Sequence, residues 1–589
     1  MKHFLESGGG GSVAPARPKA LRWVMAALWL RKGPFVETLV ATTVANLLAL
    51  GTSMFSMQVY DRVIPSEGHQ TLWVLTVGVS LAVVLEFLLR LLRGRMQERI
   101  ASSVDRTLSR RFFERMMRVR MEARPPTVGT LASQIKGFEL VRGVMTATSL
   151  LVLADMPFAL LYIGVIALVG SWVALVPLVV APVSVLTGLA LQALVRRHAR
   201  AQQAAANQKA GLLVEAVDGA ESVKANGGEQ ALQARWSALV DQAALAERQS
   251  RDHGGLAQQL ATSLQQLGYV AVIAFGAWLV SENRITMGGL LACSILCNRA
   301  LSPLIQLPGV MMQWAHARVA LDALDRLLAL PSEEDEREQA LKPGVLEPSL
   351  RFERVRFAYV REAQPALDLE RLRIRQGERV GLLGPVGSGK STLLKLASTL
   401  YRPHEGRVFL SDLDAAQIAP DVARAAVGYL PQDPRLFSGT LRDNLLLGLP
   451  DPGDAALLAA ARRTGLARLI TGQSKGLALP IAEGGRGVSG GQRQQLALTR
   501  LLLARPAMWL LDEPTGAMDA DNEALVVRLL REELQGARTA LIATHKTALL
   551  PLFTRLIVMQ GGRVVLDGPR DEVIAQLNAA RMPVEAPQS

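Results

Sequence analysis

Cysteine is close to absent, with two in 589 residues. Cys293 and Cys297 stand one helical turn apart inside an apolar run, so they read as small buried hydrophobes rather than a redox pair. No secretory signal with a cleavage site is expected at the N-terminus, where residues 8–20 read as a disordered lead-in of Gly, Ala and Pro. Acidic residues are the scarcer charge, 52 against 65 basic, which leaves a net charge of +13. Such a surplus can mark a nucleic-acid binder. Here the Lys and Arg residues flank long apolar runs instead, the pattern that membrane topology imposes, and nucleic acid is not expected as a partner.

What is present divides the chain in two. Up to about residue 315 the sequence alternates apolar runs with basic clusters, whereas beyond about residue 345 it reads as an α/β domain. Pro331 and the acidic run Ser332-Glu333-Glu334-Asp335-Glu336 mark the join. The expected organisation is a tail over 1–34, a membrane domain over 35–315, a linker over 316–345, a nucleotide-binding domain over 346–580 and a C-terminal tail over 581–589.

A bilayer span needs about 20 apolar residues. Six segments qualify: 35–58, 71–92, 147–169, 172–194, 264–281 and 287–312. They are apolar on every face, unlike the striped helix of a soluble core. Only Gly170-Ser171 separates the third from the fourth, which predicts a tight hairpin. Basic residues set the orientation. Arg17, Lys19, Arg22, Arg31 and Lys32 precede the first span; Arg93, Arg95, Arg99, Arg106, Arg110, Arg111, Arg115, Arg118 and Arg120 follow the second. Arg196, Arg197, Arg200 and Lys209 follow the fourth, while the opposite loops hold only Arg62 and Arg284. Both termini are therefore expected on the cytoplasmic side.

The two long basic segments read as helical extensions, each broken once, at Arg124-Pro125-Pro126-Thr127-Val128-Gly129 and between Val217 and Gly228. Glu86, Asp155 and Arg299 fall within apolar spans, where charge is costly. They either line a path, pair between helices or sit near headgroups, and Asp155-Met156-Pro157-Phe158 can also mark a kink.

The second half carries the chemistry. Gly384-Pro385-Val386-Gly387-Ser388-Gly389-Lys390-Ser391 fits the phosphate-loop pattern, follows the apolar run Val380-Gly381-Leu382-Leu383, and leads through Thr392 into a helical stretch. Glycines let successive N–H groups face one anion, and the helix adds its positive end. Lys390 is positioned for the β- and γ-phosphates and Ser391 for Mg²⁺. Met508-Trp509-Leu510-Leu511-Asp512-Glu513 is an apolar strand ending in two acids, Asp512 for the metal shell and Glu513 to deprotonate or orient water. Ser489-Gly490-Gly491-Gln492 opens another helix and forms a second anion site.

Val488-Ser489-Gly490-Gly491-Gln492 resembles the signature motif of ATP-binding cassettes, with Val where Leu is usual. In that family the signature faces the nucleotide of the opposite subunit, so the resemblance implies a homodimer with ATP and Mg²⁺ at a head-to-tail interface. It also implies that Tyr359 stacks on adenine, that Gln432 senses Mg²⁺, that Asp519 belongs to the loop after the acids, and that His545 contacts the γ-phosphate. A serine more often stands in the place of Gly516. No motif is degenerate, so both sites of a dimer are expected to hydrolyse ATP.

The stretch Ser56-Met57-Gln58-Val59-Tyr60-Asp61-Arg62-Val63-Ile64-Pro65 is similar to one typical of bacterial type I secretion ATPases, as are Asp155-Met156-Pro157-Phe158 and Glu483-Gly484-Gly485-Arg486-Gly487. That resemblance implies an inner-membrane exporter of proteins with C-terminal signals, partnered by a membrane-fusion adaptor and an outer-membrane channel. Many such relatives carry a cysteine-peptidase-like domain before the first span. Here that region has no Cys and only His3, so leader cleavage is not expected of this chain. Export of lipids, peptides or small hydrophobic molecules is the alternative for the same engine. The expected fold is thus a multidomain membrane protein, a six-helix α-helical domain joined to an α/β phosphate-loop NTPase.

Overall fold

The computed structural model describes residues 22–23, 32–124, 141, 147–333, 340–359, 364–536 and 538–581, without the side chains of 32, 34, 35, 147–151, 153, 191–200, 580 and 581. Residues 125–129 of the first expected break, the acidic run 334–336, Arg17, Lys19 and Arg31 lie outside the described residues, as do the side chains of Arg196, Arg197 and Arg200. The chain forms two compact units that divide after Leu330, with Arg118–Arg124 belonging to the second.

Among the described residues, the first unit is built from six long helices: α1 (Lys32–Gln58), α2 (His69–Met117), α3 (Ala147–Gly170), α4 (Leu175–Asp218), α5 (Glu229–Ser281) and α6 (Met287–Leu328). Among the described residues, five continuous helical stretches are long and apolar enough to cross a membrane, one fewer than the six expected spans. The difference lies in Ala154–Ala190, which runs through the third and fourth expected spans because a 3-10 turn at Ser171–Ala174 joins α3 to α4.

The neighbours of α6 show that the chain reverses at this turn. A Cβ on Gly288 would meet Asp61, and Arg299 reaches Thr52, so α1 runs antiparallel to α6. Gly170 abuts Cys293 near the start of α6, while Asp155 lies farther along, level with Asn46 of α1. Val180 and Leu301 meet over Gly268, and Gly188 meets Met311, so α4 also leaves the turn along α6.

At 49 and 53 residues, α2 and α5 measure about 74 and 80 Å at 1.5 Å per residue, well beyond the roughly 30 Å of hydrocarbon in a bilayer. The fourth and fifth expected spans do extend as long helices. They are linked through Gly219, the short helix Ala220–Ala225 and Gly227, whose φ of +61° suits glycine. In the expected linker 316–345, α6 continues to Leu328. Ala317, Ala320, Leu321, Leu324 and Leu328 keep an apolar stripe there that packs on Ile100, Val104, Leu108 and Phe112 of α2.

Membrane helices invert the soluble pattern, and α2 illustrates it. None of its most apolar window is buried, yet Glu86, Arg93 and Gln97 are. Arg93 Nη1 donates to Asp155 Oδ1 at 2.9 Å and to Thr42 Oγ1 at 3.2 Å. Asn46 Nδ2 donates to the same carboxylate at 3.1 Å, and Tyr162 OH donates to Asn46. Glu86 takes Arg90 at 2.6 Å and Arg299 at 3.6 Å. Of the readings open for Glu86, Asp155 and Arg299, the structure shows pairing between helices. It also corrects Arg93, which is a buried partner rather than a flanking topological charge.

The segment around Asp61 has a specific structural role. Val59–Val63 forms a π-helical turn that carries Asp61 to the start of α6. Its carboxylate accepts from Thr286 Oγ1 at 2.6 Å and from the Gly288 N–H at 2.8 Å. Thr286 in turn caps Gly289 N–H at 3.0 Å. An acid that satisfies orphan donors at a helix N-terminus stabilises it. Replacing Asp61 with Ala should cost about 1 kcal/mol, read as a lower thermal midpoint of the full chain in nanodiscs, with Asp61→Asn losing less.

The second unit holds two principal sheets. An antiparallel sheet orders β2 (Leu367–Ile374), β1 (Leu350–Phe357), β4 (Glu405–Leu410) and β5 (Leu413–Asp414). The central sheet adds β3 (Arg379–Leu383), β6 (Val427–Leu430), β7 (Met508–Asp512), β8 (Thr539–Ala543), β9 (Arg555–Gln560) and β10 (Arg563–Pro569). Its order is β10-β9-β3-β8-β7-β6, parallel except for β10. β7 and β8 are buried at every position, as a parallel sheet covered on both faces requires. Both β3 and β7 deliver their functional residues at their C-terminal ends, where open α/β sheets bind ligands.

Candidate active site

β3 ends at Leu383, and the loop 384–389 turns directly into α7 (Lys390–Ala397). Gly384, Gly387 and Gly389 take φ values of +146°, +80° and +99°, which side chains with a Cβ rarely adopt. A Cβ on Gly389 would also lie 2.7 Å from Ala366 O. Lys390 Nζ folds back over the loop, donating to Gly384 O at 2.8 Å, Pro385 O at 2.9 Å and Ser388 Oγ at 3.3 Å. Burial lowers its pKa from the ordinary lysine value, opposed by the Glu513 and Asp512 carboxylates. Ser388 and Thr392 are buried, while Val386 is fully exposed at the loop tip.

Asp512 is buried at the end of β7, and burial raises its pKa despite a hydrogen bond with Ser391. An unfolded chain would therefore release this proton at lower pH, so Asp512 disfavours folding as pH rises through the window above the usual aspartate range. A buried carboxyl beside a serine hydroxyl suits a hard cation, which would favour its charged form. Glu513 follows with φ of +48°. Its Oε1 lies 3.2 Å from His545 Nδ1, so two of the expected catalytic side chains meet. Gln432 is exposed, and its carbonyl faces Gln494 Nε2 at 3.4 Å.

The signature residues assemble elsewhere on the unit. Ser489 is the N-cap of α8 (Gly490–Ala504) in a capping box: Gln492 N–H donates to Ser489 Oγ at 3.3 Å and Ser489 N–H to Gln492 Oε1 at 3.0 Å. Gly490 and Gly491 pass close to Ala517, where a Cβ on Gly491 would stand 2.9 Å from Ala517 O. Asp519 caps α9 (Ala520–Glu533) through Asn522 N–H at 2.9 Å. Ser489, Gly491, Gln492 and Asp519 line a cavity of about 250 Å³ to which no phosphate-loop residue contributes.

At the position expected to stack on adenine, Tyr359 is half-exposed and edge-on to Tyr401, with ring centroids 5.8 Å apart. Its hydroxyl is 3.3 Å from both Thr392 Oγ1 and Lys395 Nζ. Tyr401 and Lys395 escaped sequence reasoning because aromatic and basic residues off the motifs carry no local signal. Gln494 escaped too; it is buried on the signature helix against the loop after β7, where its Nε2 donates to Glu513 O at 2.9 Å. Gly516 has a local reason: a Cβ there would stand 3.3 Å from Glu513 Oε2.

Residues 35–303 match the family model of the ABC transporter transmembrane region, and residues 367–516 that of the ABC transporter. The chain is 30% identical to the cyclolysin secretion/processing ATP-binding protein CyaB of Bordetella pertussis, over 94% of this chain and 77% of that protein. It is 28% identical to the toxin RTX-I translocation ATP-binding protein of Actinobacillus pleuropneumoniae, over 94% and 78%. Its fold matches a bacterial Atm1-family ABC exporter solved with ATP bound, at a TM-score of 0.86 and 22% identity over 94% of this chain and all of that one. A phosphate loop beside paired acids and a signature helix, joined to apolar helices in one polypeptide, agrees with these matches. The chain belongs to the ABC transporter family, as a multi-pass bacterial membrane protein that binds ATP and couples its hydrolysis to export.

Proposed function

We propose that this chain is the energising permease and ATPase of a type I protein secretion system, working as a homodimer in the inner membrane with both termini cytoplasmic. The observation that carries this reading is the end-to-end similarity, across both units, to proteins named for toxin secretion and translocation. The cargo is a protein with a C-terminal signal, and a membrane-fusion adaptor and an outer-membrane channel complete the path.

In the ATPase cycle, the loop from Gly384 to Thr392 and Lys390 cradle the phosphates while Tyr359 supports the adenine. Ser391, Gln432 and Asp512 are the residues that would hold Mg²⁺, which when bound would supply charge neutralisation at the phosphates. Glu513 takes the proton of the attacking water, and His545, in contact with it, contributes a donor at the γ-phosphate. Ser489, Gly490, Gly491 and Gln492, with Asp519, serve the nucleotide held by the other copy. The separation of their cavity from the phosphate loop supports that two-chain site.

Deleting the gene and comparing proteins in the culture medium tests the cargo. One or a few secreted proteins should vanish, to be restored by the wild-type gene but not by Lys390→Ala. An unchanged medium would overturn the secretion reading.

A further inference from the structure

Glu513 must hold a backbone conformation that L side chains avoid, with φ at +48°. Three hydrogen bonds fix it. Its N–H donates to Ala543 O at 2.9 Å, and its carbonyl accepts from Gly516 N–H at 3.0 Å and from Gln494 Nε2 at 2.9 Å. Two of these bonds are backbone to backbone, within the turn or across to β8. The third comes from a side chain on α8, the helix that Ser489 caps.

Gln494 is 2% exposed, and its amide faces two loops at once, the one after β6 and the one after β7. Besides the Glu513 carbonyl, its Nε2 faces Gln432 O at 3.4 Å, and its Oε1 accepts from Ala517 N–H at 3.3 Å. A buried amide can merely satisfy itself in a core. This one spends its donors on the backbones of a proposed Mg²⁺-sensing residue and a proposed base. Its acceptor takes an N–H two residues before Asp519.

We infer that Gln494 is a positioning residue for ATP hydrolysis, which locks the left-handed backbone of Glu513 and so holds its carboxylate against His545. The inference rests on the reading of Glu513 as the general base. Displacing a reacting group by about 1 Å can cost a hundredfold in rate without changing substrate affinity. Because Gln494 sits on α8, the aim of Glu513 also follows the position of the signature helix.

The test is steady-state ATPase kinetics of the full chain in nanodiscs with Gln494→Met, which keeps length but not hydrogen bonding. Gln494→Glu keeps the acceptor for Ala517 and loses the donor to Glu513. Both should lower kcat by about tenfold to a hundredfold while KM for ATP stays within about twofold. Wild-type kcat in Gln494→Met would overturn the inference, as would a joint fall of kcat, ATP affinity and thermal midpoint in both variants. If Gln494→Met fails to fold, Gln494→Glu decides by the same split. Glu513→Gln is measured alongside. If it turns over normally, the base reading itself fails; if it is inactive while Gln494→Met is not, only the role of Gln494 fails.

Discussion

Glu513→Gln should leave a chain that still binds ATP but hydrolyses it at least about a hundredfold more slowly, the usual contribution of a positioned general base. The substitution keeps size and removes only the ability to accept a proton. The backbone that aims the side chain, held by Ala543, Gly516 and Gln494, is untouched. His545, 3.2 Å away, keeps a hydrogen-bond partner, so the loss is one of chemistry rather than of architecture. With hydrolysis blocked, nucleotide should accumulate in closed dimers, visible as an ATP-dependent shift of detergent-solubilised cassette unit pairs on cross-linking. Normal turnover in this variant would overturn the assignment of the base.

Asp155→Ala should destabilise the membrane unit by about 3 kcal/mol. The Arg93 side chain is 9% exposed, and its guanidinium has Asp155 as its ionised partner at 2.9 Å. Truncating the acid strands that charge among helices and also frees one Asn46 donor, 3.1 Å away. Coupling decides the mechanism. If the loss comes from an uncompensated charge, Arg93→Ala with Asp155→Ala should be less destabilised than Asp155→Ala alone, as thermal unfolding in nanodiscs would report. Additive losses would mean that the two side chains act independently.

Legibility from the sequence followed the range of the interaction. The phosphate loop and the helix start at Ser489 each lie within a few residues, and both follow from glycine and hydroxyl chemistry alone. Spans were legible because hydropathy is a local average, although α3 and α4 merge into one helical stretch at the turn. What failed was pairing across the fold. Arg93 reads as one more basic residue after a span, and only folding brings Asp155, 62 positions later, to it. The end of α6 was likewise misjudged, because the alanines and leucines that extend it are meaningful only against α2. Asp61 was noticed for its resemblance, but its grip on Gly288 lies 227 positions away. Gln494 had no signal, since an amide in a helix is ordinary until its three neighbours arrive.

The left-handed backbone at Glu513 sets foldability against activity. Glycine is the residue that conformation favours, and a non-glycine held there costs about 1–3 kcal/mol. Libraries selected only for expression or heat resistance would therefore enrich Gly at this position and return robust, inert exporters. At 513, gain of stability is a warning sign, and any engineering of this chain has to select on turnover.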